Sequence, residues 1–93
     1  MTCEISQTRT IHVTIVTFEG LHDRFRFKSD TLVKDVKAET LERFNIEPAP
    51  GVVYKLAKSE DGQYKVLNDN NSLVTEGVRN KDKIWLGTEQ EVG

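Results

Sequence analysis

Apolar residues recur along the chain at two different spacings, and the places where the spacing changes divide it into elements. In IHVTIVTFEG, Ile11, Val13 and Ile15 alternate with His12 and Thr14, the period-two pattern of a strand with one buried face. LHDRFRFKSD repeats the alternation after Gly20, with Phe25 and Phe27 on one side and Arg24, Arg26 and Lys28 on the other. The FEGLHD stretch between them reads as a hairpin turn in which Gly20 supplies backbone freedom. The spacing then lengthens. TLVKDVKAETLERFNI sets Val33, Val36, Thr40, Leu41 and Phe44 on one face, with Lys34, Asp35, Glu39, Glu42 and Arg43 mostly away from it. That predicts one amphipathic helix of about four turns, capped by the short oxygen-bearing side chain of Asp30 or Thr31. Two prolines in EPAPG end it, because each lacks an amide donor and biases its predecessor away from helix.

Alternation returns in VVYKLAKSEDGQYKVLND, with Val52, Tyr54 and Leu56 on one side and Asp61-Gly62 as a two-residue hairpin turn that sets Leu56 opposite Leu67. NNSLVTEGVRNKDK is polar and turn-rich, with Leu73 and Val78 as anchors onto the core. A last strand buries Ile84 and Leu86 and turns Trp85 the other way. A helix of this length needs an apolar surface, and a sheet with one apolar face supplies it. The expectation is an α+β domain, a mixed sheet of four or five strands packed on one amphipathic helix. It has a flexible leader at 1–9, a folded domain at 10–87 and an extended tail at 88–93.

Ninety-three residues leave room for one small domain. Charged residues at 30% and hydrophobic ones at 37% are ordinary for a chain that folds. A net charge of −2 disfavours a strong grip on nucleic acid or anionic lipid. No stretch approaches the roughly 20 apolar residues that span a bilayer, and MTCEISQTRT lacks the plan of a signal peptide, so a cytoplasmic location and no membrane partner are expected. The single cysteine, Cys3, cannot close an internal disulfide, and with no histidine beside it in sequence it reads as an idle thiol. His12 and His22 have no partner at metal-ligand spacing, EDG shapes a turn, and no phosphate loop or nucleophile with a local base is present. Neither an enzyme nor a bound cofactor or metal is expected.

The order of elements resembles the ubiquitin-like β-grasp family. VTIVTFEG resembles the first strand and turn of ubiquitin, VKAETLERFNIEP its helix and proline-containing exit, and SLVTEGVRNKDKIWLG the segment through its last strand, so the likeness runs over roughly residues 11–93. Three features depart from ubiquitin: the longer KSEDGQYK hairpin, the acidic tail TEQEVG, and a Val-Gly ending in place of a glycine pair. With these features the chain is most similar to bacterial ubiquitin-like modifiers encoded beside activating, conjugating and deubiquitinase-like enzymes, whose operons are associated with defence against phage.

The resemblance implies that the Gly93 carboxylate, preceded by Val92, is adenylated by an activating enzyme, passed to a cysteine as a thioester and transferred to a target amine. ATP would be used by that enzyme and not by this chain. Implied partners are activating and conjugating enzymes, a processing protease and target proteins. Glycine suits the end because a missing Cβ lets enzyme groups crowd the carbonyl. The resemblance also implies a docking patch on the outer sheet surface, at or near Phe18, Val53 and Trp85, with Lys55 on the same face. Three placements of Trp85 stay open: in that patch, packed under the KSEDGQYK hairpin, or in the core if the strand phase is shifted by one. If chains form, Lys28, Lys34, Lys37, Lys55, Lys58, Lys65, Lys81 and Lys83 are candidate acceptors. The alternatives are a non-conjugated β-grasp adaptor that works through its sheet face and, third, a sulfur carrier, which the Val-Gly ending fits least.

Overall fold

The structure is a computed structural model and describes residues 9–92. Leader residues 1–8, with Cys3, and the terminal Gly93 lie outside the described residues.

Strand β1, Thr10–Thr17, pairs antiparallel with β2, His22–Lys28, through the turn at Gly20, whose φ of 102° suits a residue without a Cβ. Helix α1, Val33–Arg43, crosses one face of the sheet. β3, Tyr54–Glu60, and β4, Gln63–Val66, form the second hairpin around Asp61 and Gly62, both at positive φ as a tight two-residue turn demands. β5, Asp82–Thr88, enters the middle of the sheet, parallel to β1 and antiparallel to β3. The strand order is β2-β1-β5-β3-β4, so the last strand closes the sheet between elements distant in sequence.

Alternation decides what each strand buries. Ile11, Val13 and Ile15 of β1, Phe25 and Phe27 of β2, Leu56 of β3 and Ile84 and Leu86 of β5 face Val33 and Val36 of the helix in one core. Leu67 joins them, its N–H donating to the Leu56 carbonyl at 2.8 Å. Leu73 and Val78 anchor the turn-rich segment as expected, both buried. Each such aliphatic side chain contributes about 1.5–3 kcal/mol through its burial.

The helix differs from the sequence expectation at its start and in its length. It spans 11 residues, three turns rather than four, and its N-cap is Leu32 with no side-chain cap. Leu32 bridges to Ser72 in extended backbone, and Asp30 lies in the preceding turn, closed by the Thr31 N–H donating to Lys28 O at 2.9 Å. Asp30 and Thr31 therefore stand too far back to reach the first free amides. Backbone carbonyls of the turn-rich segment serve instead. The Val33 N–H donates to Asn71 O at 2.9 Å and the Lys34 N–H to Asp69 O at 3.1 Å. Thr40 is buried on the apolar face because its hydroxyl donates to Val36 O at 2.7 Å, leaving no unmet polar atom.

The end of the chain also differs. An extended tail was expected from residue 88, but Thr88 is the last residue of β5 and Glu89–Val92 wind into a four-residue helical turn, α2. The reason lies in TEQE, a Thr-x-x-Glu capping box: Glu91 Oε1 accepts the Thr88 N–H at 2.7 Å. The turn packs against β3, β4 and β5, and Val92 is buried outside the main core.

Candidate docking face and C-terminal turn

Helix α1 covers one face of the sheet, and three aromatic rings meet on the other, outer face. Trp85 is half-buried and points outward from β5, as its buried neighbours Ile84 and Leu86 require. Phe18 follows the end of β1, next to Gly87 near the end of β5. Tyr64 comes from β4, whose register sets it opposite Ser59 on the same side as Ala57, which itself sits opposite Trp85. The centroids lie 5.3 Å apart for Phe18 and Trp85, 5.5 Å for Phe18 and Tyr64, and 5.6 Å for Tyr64 and Trp85. All three pairs are tilted or edge-on, the arrangements that aromatic quadrupoles favour. Lys83 Nζ lies 5.1 Å from the Trp85 ring centroid, a cation over its negative face.

Two small residues make room for the rings. Ala57 is fully buried in the strand beside Trp85. Gly87 leaves open the space that Phe18 fills: a Cβ there would come within 2.9 Å of Phe18 Cε1 and 3.1 Å of Glu91 Oε1. Those distances also place Glu91 beside Phe18, so the C-terminal turn folds back over the outer face next to the rings. Phe18 and Tyr64 are each 40% exposed, whereas the Trp85 indole N–H is buried with no acceptor among the described residues. A buried donor without a partner costs about 1–3 kcal/mol.

No family model matches the chain, and no curated protein does. Solved structures do. The UBL domain of Plasmodium falciparum Dsk2 aligns with a TM-score of 0.69 at 23% identity, covering 87% of this chain and all of that domain. A structure described as "Molecular Mimicry of SUMO promotes DNA repair" aligns at 0.65 and 16% identity over 83% of this chain and 89% of its own. A protein designed de novo on the basis of ubiquitin aligns at 0.69 and 15% identity over 86% and 89%. The chain has the ubiquitin-like β-grasp fold.

On this β-grasp sheet the expected patch is only partly assembled. Phe18 and Trp85 are brought together, and Trp85 faces away from the core while the KSEDGQYK hairpin covers part of it through Tyr64. Val53 is 45% exposed but stands before β3, where its carbonyl accepts the Glu89 N–H at 2.9 Å, and it takes no part in the ring cluster. Lys55 is drawn toward Asp69, at 3.8 Å, and does not crown the rings. Tyr64 was missed. Its side follows from alternation back from the Asp61-Gly62 turn, yet its neighbour Trp85 appears only once β3 is known to pair with β5.

The lysines divide into two groups. Lys28, Lys34, Lys65, Lys81 and Lys83 are exposed, whereas Lys37 and Lys58 are tied to Asp69 at 2.7 Å and Asp82 at 3.2 Å, and Lys55 is half-buried. Two carboxyls are held below their ordinary range. For Asp23 the main cause is the hydrogen bond from the Arg24 backbone N–H, followed by that from Arg43. For Glu76 it is the Asn71 side-chain amide and then the Asn68 backbone N–H, at 2.8 and 2.9 Å. Among the described residues no three histidine, cysteine or acidic side chains gather as a metal site, and no helix is long and apolar enough to cross a membrane.

Proposed function

We propose that the chain is a ubiquitin-like protein-recognition module that engages partner proteins through Phe18, Tyr64 and Trp85. The three-ring cluster carries this reading. Rigid aromatic surface on the sheet face opposite α1 is the composition of an interaction hot spot, and the indole N–H, unpaired among the described residues, gives a partner's carbonyl something to satisfy when the cluster opens.

The finer role is that of a protein modifier. Activation and thioester transfer by partner enzymes would end with a target amine attacking the Gly93 carbonyl, forming an isopeptide bond and releasing the enzyme thiol. β5 favours this reading by leading out of the sheet at Thr88, a few residues short of Gly93, with exposed Lys81 and Lys83 at its opposite end as acceptors in a growing chain. The burial of Val92 adds a condition: the turn must unwind before Gly93 can enter an enzyme cleft. An adaptor that is never conjugated would use the same rings and leave the turn closed.

One experiment separates these roles. An N-terminally tagged chain is expressed in its native host as wild type, without Gly93, and as Trp85→Ala. Denaturing, thiol-reducing blots that show higher-mass bands in the wild type and none without Gly93 establish conjugation. If no such bands form and co-purifying partners are lost only in Trp85→Ala, the chain is an adaptor. If Trp85→Ala keeps every partner and every band, the aromatic face is not the recognition surface.

A further inference from the structure

The other end of the outer face is charged where this end is aromatic. On β2 the outward positions include Arg24 and Arg26, and β1 lies beside them with His12 opposite Arg26 and Thr14 opposite Arg24. On the far side of β1, Thr14 is also opposite Lys83, and the Lys81 N–H donates to the His12 carbonyl at 2.6 Å. Two columns of cations therefore flank one strand, Arg24 and Arg26 on the left and Lys81 and Lys83 on the right. Between them lies an open groove of about 400 Å³, lined by His12, Thr14, Arg24, Asn80 and Lys81. Lys81 is held at φ 73°, a backbone conformation that lysine rarely adopts.

No carboxylate faces this groove from the three strands. β1 has none, and the acids of the other two, Asp23 and Asp82, point to the helix side, where Arg43 and Lys58 hold them at 3.1 and 3.2 Å. Arg24, Arg26 and Lys81 are all exposed, and none has an ion-pair partner within 4.0 Å among the described residues. A chain of net charge −2 thus carries a cationic face. Local charge decides what docks at such a groove, while the overall charge opposes a long polyanion that must run past it.

We propose that this half of the outer face docks an extended acidic peptide segment of a partner protein. The columns stand one strand spacing to either side of β1, about 10 Å apart, which is room for one extended chain. Within β2 the cations repeat every second residue, about 6.6 Å, the repeat at which an extended peptide presents side chains to one side. An Asp/Glu run laid along β1 meets a cation with each carboxylate. Lys83, which lies over the Trp85 ring, is where this surface meets the aromatic cluster; Arg24, Arg26 and Lys81 stand outside the cluster.

Titration of the 15N-labelled full chain with an octaglutamate peptide tests it. Saturable shifts confined to the amides around His12, Arg24, Arg26 and Lys81 are expected. Arg24→Glu/Arg26→Glu weakens binding by about tenfold or more. Lys34→Glu/Lys65→Glu makes the same change in net charge at exposed positions elsewhere and stays within about twofold. Equal losses in both variants, or shifts spread over the whole surface, would mean a diffuse field and would overturn the proposal. So would tighter binding of an oligothymidylate of equal charge, which would assign the face to nucleic acid. Shift mapping uses the wild-type chain, so it decides the matter even if a variant fails to fold.

Discussion

Trp85 has its ring in contact with two other aromatics and its one polar side-chain atom buried without an acceptor among the described residues, so its two halves act on stability in opposite directions. Trp85→Phe keeps most of the ring contact and removes the unpaired donor. It is expected to leave stability within about 1 kcal/mol of wild type, measured by denaturant unfolding; a loss several times larger would mean that the indole N–H has found an acceptor in solution. Gly87→Ala acts on the same cluster from below. The new methyl pushes on the Phe18 ring, which is 40% exposed and can move outward, and on Glu91 Oε1, whose hydrogen bond from the Thr88 N–H must loosen. The expected stability cost is under about 1.5 kcal/mol, accompanied by a change in Trp85 fluorescence as Phe18 leaves it. Unchanged emission would show that the ring does not depend on Gly87. At this scale the outward direction of Trp85 was legible in the alternation of IWL, because Ile84 and Leu86 have nowhere else to go. Tyr64 was not, nor was the exclusion of Val53: both follow from how β3 registers against a strand about thirty residues away.

Among the elements, α1 shows how far a helix end can depend on chain that follows it. Its first amides are bound by Asn71 and Asp69 carbonyls, and the loop that presents them is braced by Glu76, whose two oxygens accept from Asn68 N–H and Asn71 Nδ2. Glu76→Ala is therefore expected to cost about 1–2 kcal/mol and to speed hydrogen exchange at the Val33 and Lys34 amides more than at the middle of the helix. Uniform acceleration would show that the brace acts on global stability alone. The pH dependence has a definite sign. These hydrogen bonds hold the Glu76 carboxyl below its ordinary range, so their contribution is full above the unfolded-state pKa and is lost as pH falls through the lower folded value. The same amides should lose protection on acidification in the wild type and change less in Glu76→Gln. The sequence made the helix visible through its period and its proline stop, but not its first residue, because the Leu32 bridge to Ser72 is a tertiary event. The C-terminal turn is the opposite case: its capping box stood in plain view in TEQE, and an expectation of extended chain hid it.

For the whole molecule, the question is whether the C-terminal turn belongs to the fold or is an attachment resting on it. The core joins both hairpins, the helix and Leu73 of the turn-rich segment, and Val92 is not part of it. Ending the chain at Thr88 removes the burial of Val92, worth about 1.5 kcal/mol, and the bonds from the Thr88 N–H to Glu91 and from the Glu89 N–H to Val53 O, worth about 1 kcal/mol each. It touches none of the β1–β5 register through which the sheet closes. Leu73→Ala, by contrast, opens a cavity at a fully buried site and is expected to cost about 2–5 kcal/mol. The truncated chain should therefore keep a cooperative thermal transition and a native-like amide spectrum, with shifts confined to residues around Phe18, Val53 and Gly87, and should be no less stable than Leu73→Ala. A lost transition would make α2 a structural part of the β-grasp core, and a modifier built that way could not release Gly93 without unfolding. A retained one leaves the turn as a latch that can open while the recognition face stays whole.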